Sequence, residues 1–165
     1  MKLLIMFYGL PVSGKSTLAQ EMQKHFSDVV SLKTVDLQKL SSPTIKDFDE
    51  TVKETRNQKD QSYQTLLAQA KRYIQTNNIV ILDATFHQLH RRIEEYKLVQ
   101  EFHLPLLVMH CSCDNLMVIQ HALEKRKQSN KKDDLLKSYE MYQLMKHQSQ
   151  EIIPIDAKHR SITKK

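Results

Sequence analysis

Gly9-Leu10-Pro11-Val12-Ser13-Gly14-Lys15-Ser16-Thr17 carries the most specific chemistry in this chain. Its two glycines, five apart and followed at once by Lys-Ser-Thr, match in full the phosphate-loop pattern G-x-x-x-x-G-K-[ST]. They are the only glycines in 165 residues. Backbone N–H groups of such a loop cradle nucleotide phosphates, helped by the positive end of the helix that follows. Lys15 is expected to reach the β- and γ-phosphates, and the Ser16 hydroxyl to ligate Mg²⁺.

Two aspartates extend the pattern. Asp83 stands behind the aliphatic run Ile79-Val80-Ile81-Leu82, where phosphate-loop enzymes place a second Mg²⁺ contact, direct or through water. A turn or helix-capping residue is the competing reading. Asp36 closes the run Val29-Val30-Ser31-Leu32-Lys33-Thr34-Val35. In open α/β sheets ligands sit at the carboxyl ends of the strands. Asp36 could there accept the proton of a hydroxyl that attacks the γ-phosphate, or it could simply close a turn.

The elements that must position these residues alternate between apolar runs and helical patterns, which predicts an α/β fold with helices on both faces of a parallel sheet. Leu3 to Tyr8 reads as a buried first strand, and Leu18, Ala19, Met22 and Phe26 as one face of the next helix. Gln38 to about Ser62 is polar and reads as a loop with a short surface helix beside the site. Leu66, Leu67, Ala70, Tyr73 and Ile74 mark an amphipathic helix. A helix from Leu89 to Phe102, a strand from Leu104 to Cys111, and a helix capped by Asp114 and running to about Arg126 come next. A basic stretch, Lys127 to Lys132, leads into a last helix from about Asp133 to Ser149, and the tail offers a fifth strand around Arg160 to Thr163.

Composition is that of a globular protein, 40% hydrophobic and 27% charged, and the chain reads as one domain, 1–165. No apolar run reaches membrane-spanning length, and the N-terminal run is too short for a signal peptide, so no membrane partner and a cytoplasmic location are expected. Cys111 and Cys113 read as buried core cysteines rather than a metal pair, since no second ligand pair completes a site. Residues 1–124 carry 14 basic and 14 acidic side chains, and 125–165 carry 11 and 5, so the net charge of +6 lies wholly in the latter. An anionic partner near that part would explain it, as would solvated helix faces.

The phosphate loop together with Asp83-Ala84-Thr85-Phe86 and Arg91 resembles the predicted P-loop kinases of the AAA_33 type, relatives of the phage-type polynucleotide 5′-hydroxyl kinases and of the zeta-toxin and chloramphenicol phosphotransferases. The resemblance extends to about Ser149 and implies a three-layer P-loop NTPase fold with a helical lid. It implies ATP and Mg²⁺ as cofactors. It also implies Asp36 as general base, and acceptor-side roles for Lys39 (an arginine in the polynucleotide kinases), Thr85 and Arg91. The lid would lie at about 125–134, with Arg126 meeting the transferring phosphoryl group. Val12 replaces the usual small residue, and His121 stands where a lid arginine is expected. Valine is disfavoured at positive φ, so the loop is expected to adopt a shape that valine tolerates.

An ATP-dependent kinase acting on a hydroxyl is the leading functional expectation. Chain length and the absence of an evident aromatic platform for bases favour a small-molecule acceptor over a nucleic-acid 5′ end. A slowly hydrolysing ATP-binding switch and a nucleic-acid-binding protein with a vestigial loop are the alternatives. The acceptor and the oligomeric state are not encoded in any motif.

Overall fold

The structure, a computed structural model, describes residues 2–34, 44–128 and 138–151, and the backbone of 158–164. Its elements are β1 (Leu3–Tyr8), α1 (Lys15–His25), β2 (Val29–Lys33), a 3-10 turn (Ile45–Phe48), α2 (Lys53–Thr76), β3 (Ile79–Asp83), α3 (Leu89–Glu101), β4 (Leu106–Cys113), α4 (Leu116–Gln128), α5 (Tyr139–His147) and β5 (Lys158–Lys164). The described strands form one parallel sheet in the order β2-β3-β1-β4-β5.

The two-residue period of β1 builds both faces of the core. Leu4, Met6 and Tyr8 pack with Leu66, Ala70 and Ile74 of α2 and with Tyr96 and Leu98 of α3. Ile5 and Phe7 point the other way, onto Ala19, with Leu18 and Met22 of α1 around them. A third cluster joins Leu10 and Val12 of the phosphate loop to Ile119 and Leu123 of α4 and Tyr142 and Met145 of α5. Register aligns the business ends of the strands: Phe7 lies opposite Asp83 and Met109, and Lys33 opposite Asp83.

Several expectations need correction. The segment read up to Ser62 as a loop with a short surface helix is, from Lys53, the first part of one long helix, and Tyr63, about one turn before the recognised stripe, continues the face of Leu66, Ala70 and Ile74. Phe26, expected on the buried face of α1, instead caps its C-terminus and is exposed. The residue that caps α4 is Asn115, whose Oδ1 accepts from the N–H groups of Met117 and Val118, in place of Asp114. The expected last helix is present from Tyr139, with the Ser138 hydroxyl accepting from Met141 N–H; its anticipated first turns fall outside the described residues. The fifth strand is in place beside β4.

Candidate functional site

Gly9, at the end of β1, has φ 147°, and a Cβ there would lie 2.1 Å from the Cys111 carbonyl oxygen, so nothing larger than glycine fits. Its N–H donates to the Thr85 carbonyl at 3.1 Å, which ties the loop to the end of β3. Gly14, φ 94°, is the N-cap of α1, and that helix has neither a side-chain cap nor an acidic residue in its first turn. Its first N–H groups are therefore left for an anion. Val12 sits at φ 61°, against the expectation that the loop would avoid positive φ there. The strain is offset by packing into the cluster of Cys113, Ile119 and Tyr142.

Lys15 is buried and spends its ammonium on the loop itself: Nζ donates to the carbonyls of Gly9 (2.8 Å) and Leu10 (2.7 Å) and lies 3.3 Å from Ser13 Oγ. Burial lowers its pKa to about 8, against the opposing pull of Asp83. Asp83 is buried beside it, and its Oδ2 has no hydrogen-bond partner. A buried carboxylate oxygen left unpaired next to an exposed Ser16 hydroxyl is a donor set that fits Mg²⁺, which takes one or two carboxylates and leaves its other positions to phosphate and water.

Lys15, Ser16, Thr17 and Asp83 line one side of a cavity of about 350 Å³. Lys33, Phe48, Lys59, Tyr63, Thr85, His87 and Arg91 line the same cavity, as does Arg126 from the last turn of α4. Arg126 is close enough to help depress the Lys15 pKa.

Beneath the second side lies a network that no sequence motif announced. Glu50 is buried and accepts from the two terminal guanidinium nitrogens of Arg91, Nη1 and Nη2, and from Lys59 Nζ at 3.2 Å. Burial raises its pKa, but the His87 ring 2.8 Å away, hydrogen bonds from Arg91 and nearby charge pull it far below the usual carboxylate range. Arg91 Nε also donates to Asp60 at 2.8 Å, and its guanidinium stacks 4.6 Å from the Tyr63 ring centroid. Arg91 thus reaches the cavity as part of an ion-pair network, with its donors already directed at Glu50 and Asp60. Thr85 lines the cavity half-buried, while Asp36 and Lys39 lie outside the described residues. The structure thus brings together the loop, Asp83, Thr85, Arg91 and Arg126. Glu50, Lys59, Tyr63 and His87 were missed; the helical spacing Lys59-Tyr63-Leu66-Ala70 was the available signal.

The sequence profile of a family described as "Chromatin associated protein KTI12" matches residues 1–161. The chain belongs to the KTI12 family. Among solved structures, Chaetomium thermophilum Kti12 in complex with ADP-AlF3 superposes with a TM-score of 0.70 at 18% identity, over 97% of this chain and 88% of that one. A candidate kinase from Chloroflexus aurantiacus gives 0.72 at 15% identity, over 98% and 88%. A chain of the Pnkp1/Rnl/Hen1 RNA repair complex gives 0.60 at 17%, over 90% of this chain and 46% of that one. No curated protein matches. The fold of this KTI12-family chain is that of the P-loop kinases, as the sequence resemblance implied. Among the described residues no helix is long and apolar enough to cross a membrane.

Proposed function

We propose that this KTI12-family chain is an ATP-dependent kinase that transfers the γ-phosphoryl group to a hydroxyl of a small-molecule acceptor. The carrying observation is a single cavity lined on one side by the phosphate loop and Asp83 and on the other by Thr85, Lys59 and Arg91. A nucleotide-only switch has no need of the second side. Support comes also from the Kti12 relative solved with ADP-AlF3 and from the kinase fold of the other structures.

In this reading the N–H groups of residues 9–14 and the first turn of α1 bind the phosphates, and Lys15 exchanges loop carbonyls for β- and γ-phosphate oxygens. Ser16 and Asp83 hold Mg²⁺, which supplies neutralising charge when bound. Asp36 accepts the acceptor proton, Lys39 and Thr85 orient the acceptor, and Arg126 faces the transferring group as part of a lid reaching to about residue 134. The whole chain, 1–165, forms one kinase domain working in the cytoplasm.

The test is phosphoryl transfer from γ-labelled ATP with Mg²⁺ to a panel of sugars, nucleosides, amino-alcohols and 5′-hydroxyl oligonucleotides. Label on a small hydroxyl compound is expected. Label on the oligonucleotides alone would move the acceptor to nucleic acid. Release of phosphate with every acceptor unlabelled would make the protein a hydrolysing switch.

A further inference from the structure

Between β3 and α3 the chain makes a strained turn. Phe86, fully buried, has φ 46°, in the left-handed region that a bulky side chain rarely occupies. Its N–H donates to the Tyr63 hydroxyl at 3.1 Å, its carbonyl accepts from Arg92 at 2.7 Å, and its ring meets Tyr63 edge-on. Strain held in place from three sides is found where a site is being shaped. Here it folds His87 back, so that Nδ1 lies 2.9 Å from the Thr85 hydroxyl.

The direction of each proton in this turn can be deduced. His87 Nε2 lies 2.8 Å from Glu50 Oε1, off the ring N–H axis and so short of a straight hydrogen bond. A bare imidazole lone pair would be repelled at that distance from a carboxylate, so Nε2 carries the hydrogen and Nδ1 is the acceptor. Thr85 therefore donates to His87. The Tyr63 hydroxyl, which accepts from Phe86 N–H, donates in turn to Thr85 Oγ1 at 3.0 Å. Oγ1 is left with one lone pair, on a residue that opens into the cavity of Lys15 and Asp83. A hydroxyl, an imidazole acceptor and a carboxylate behind it are the parts of an activated nucleophile. Lys33 and Arg126 line the same cavity, Lys59 and Arg91 add positive charge to it from their ion-pair network, and together they suit it to hold a phosphoryl group.

We propose that Thr85 is itself a phosphoryl acceptor, its hydroxyl activated by His87 with Glu50 as the group that holds the imidazole. The proposal rests on the phosphotransfer reading above, with ATP as co-reactant. Thr85 Oγ1 forms the bond to the γ-phosphorus, the bond from that phosphorus to the bridging oxygen of the β-phosphate breaks, and ADP leaves with the electron pair. The Thr85 proton passes to His87 Nδ1. The product is a phosphothreonine facing the phosphate loop, so each labelled molecule carries one phosphoryl group.

The experiment is incubation of the full chain with Mg²⁺ and γ-labelled ATP, followed by intact mass, peptide mapping and acid treatment, alongside calorimetric measurement of ATP binding. An acid-stable label on Thr85 is expected. It should persist in Thr85→Ser, vanish in Thr85→Val, and form about a hundredfold more slowly in His87→Ala. Added imidazole should restore labelling in His87→Ala, a rescue that a purely structural role for His87 would not give. Binding of ATP with no label, label on another residue, or an acid-labile label on His87 would overturn the proposal and leave the kinase reading standing. Failure to bind ATP at all would overturn both.

Discussion

Lys15 is the residue on which the phosphate site turns. Its ammonium is held by two loop carbonyls, and its pKa is lowered to about 8 by burial. Phosphate oxygens should restore an ordinary lysine pKa. Between pH 8 and 10 ATP binding should then take up as much as one proton, and below pH 7 none, which calorimetry in buffers of different ionisation enthalpy would read. Lys15→Ala should abolish both that uptake and phosphoryl transfer; near-normal turnover in the variant would remove the assigned role. Asp36→Asn should leave ATP binding intact and lower kcat by about a hundredfold or more, the scale of a general base. If only ATP affinity fell, Asp36 would belong to the nucleotide side. A residue outside all of this is Glu95, fully buried with both carboxylate oxygens unpaired, its pKa driven well up by burial. Replacing it by methionine, of similar volume, should stabilise the fold at pH 8 by about 1–3 kcal/mol in urea unfolding.

At the scale of elements, the β1–loop–α1 unit was legible because its glycines, lysine and flanking apolar run are local features of the sequence. Asp83 was legible because a four-residue aliphatic run pointed to it. The other side of the cavity was not. Glu50 and His87 are 37 residues apart and meet only because α2 and α3 pack on the same face of the sheet. The start of α2 was hidden by its own polarity: Lys53 to Ser62 carries no apolar residue. Val12 was misjudged because its tertiary packing outweighs a local backbone preference. Arg126 closes the last turn of α4 and lines the cavity, so Arg126→Ala should lower kcat by about a thousandfold, as loss of an arginine finger does. Neutralising Lys131 and Lys132 should change little. Tight, salt-sensitive oligonucleotide binding lost in those lysine variants, with Arg126 dispensable for turnover, would make the basic segment a nucleic-acid surface instead.

For the molecule as a whole, Glu50 joins parts that are otherwise only neighbours: its own loop before α2, Lys59 in α2, His87 in the turn before α3 and Arg91 in the first turn of α3. Removing it strands a buried guanidinium, so Glu50→Ala should cost about 3–5 kcal/mol by denaturant unfolding. Its folded pKa lies below the unfolded value, so its contribution is complete above about pH 5 and drains away as the pH falls further. Glu95 has the opposite sign: its folded pKa is raised, so stability falls as the pH rises past the unfolded value of about 4.3. Wild-type stability should therefore rise as the pH falls toward about 4.3 and drop on further acidification, and Glu50→Ala should flatten only that lower limb.

The close fit of Gly9 under the Cys111 carbonyl also sets an order in time. Residues 9–14 leave the ribosome about a hundred residues before the strand that walls them in, β4, and Gly9 N–H waits for Thr85. β1 has no partner at all until β3 and β4 emerge to flank it. The nucleotide cradle, translated before the strands that complete it, is thus among the last things to take shape, and a nascent chain arrested before β4 should capture no ATP.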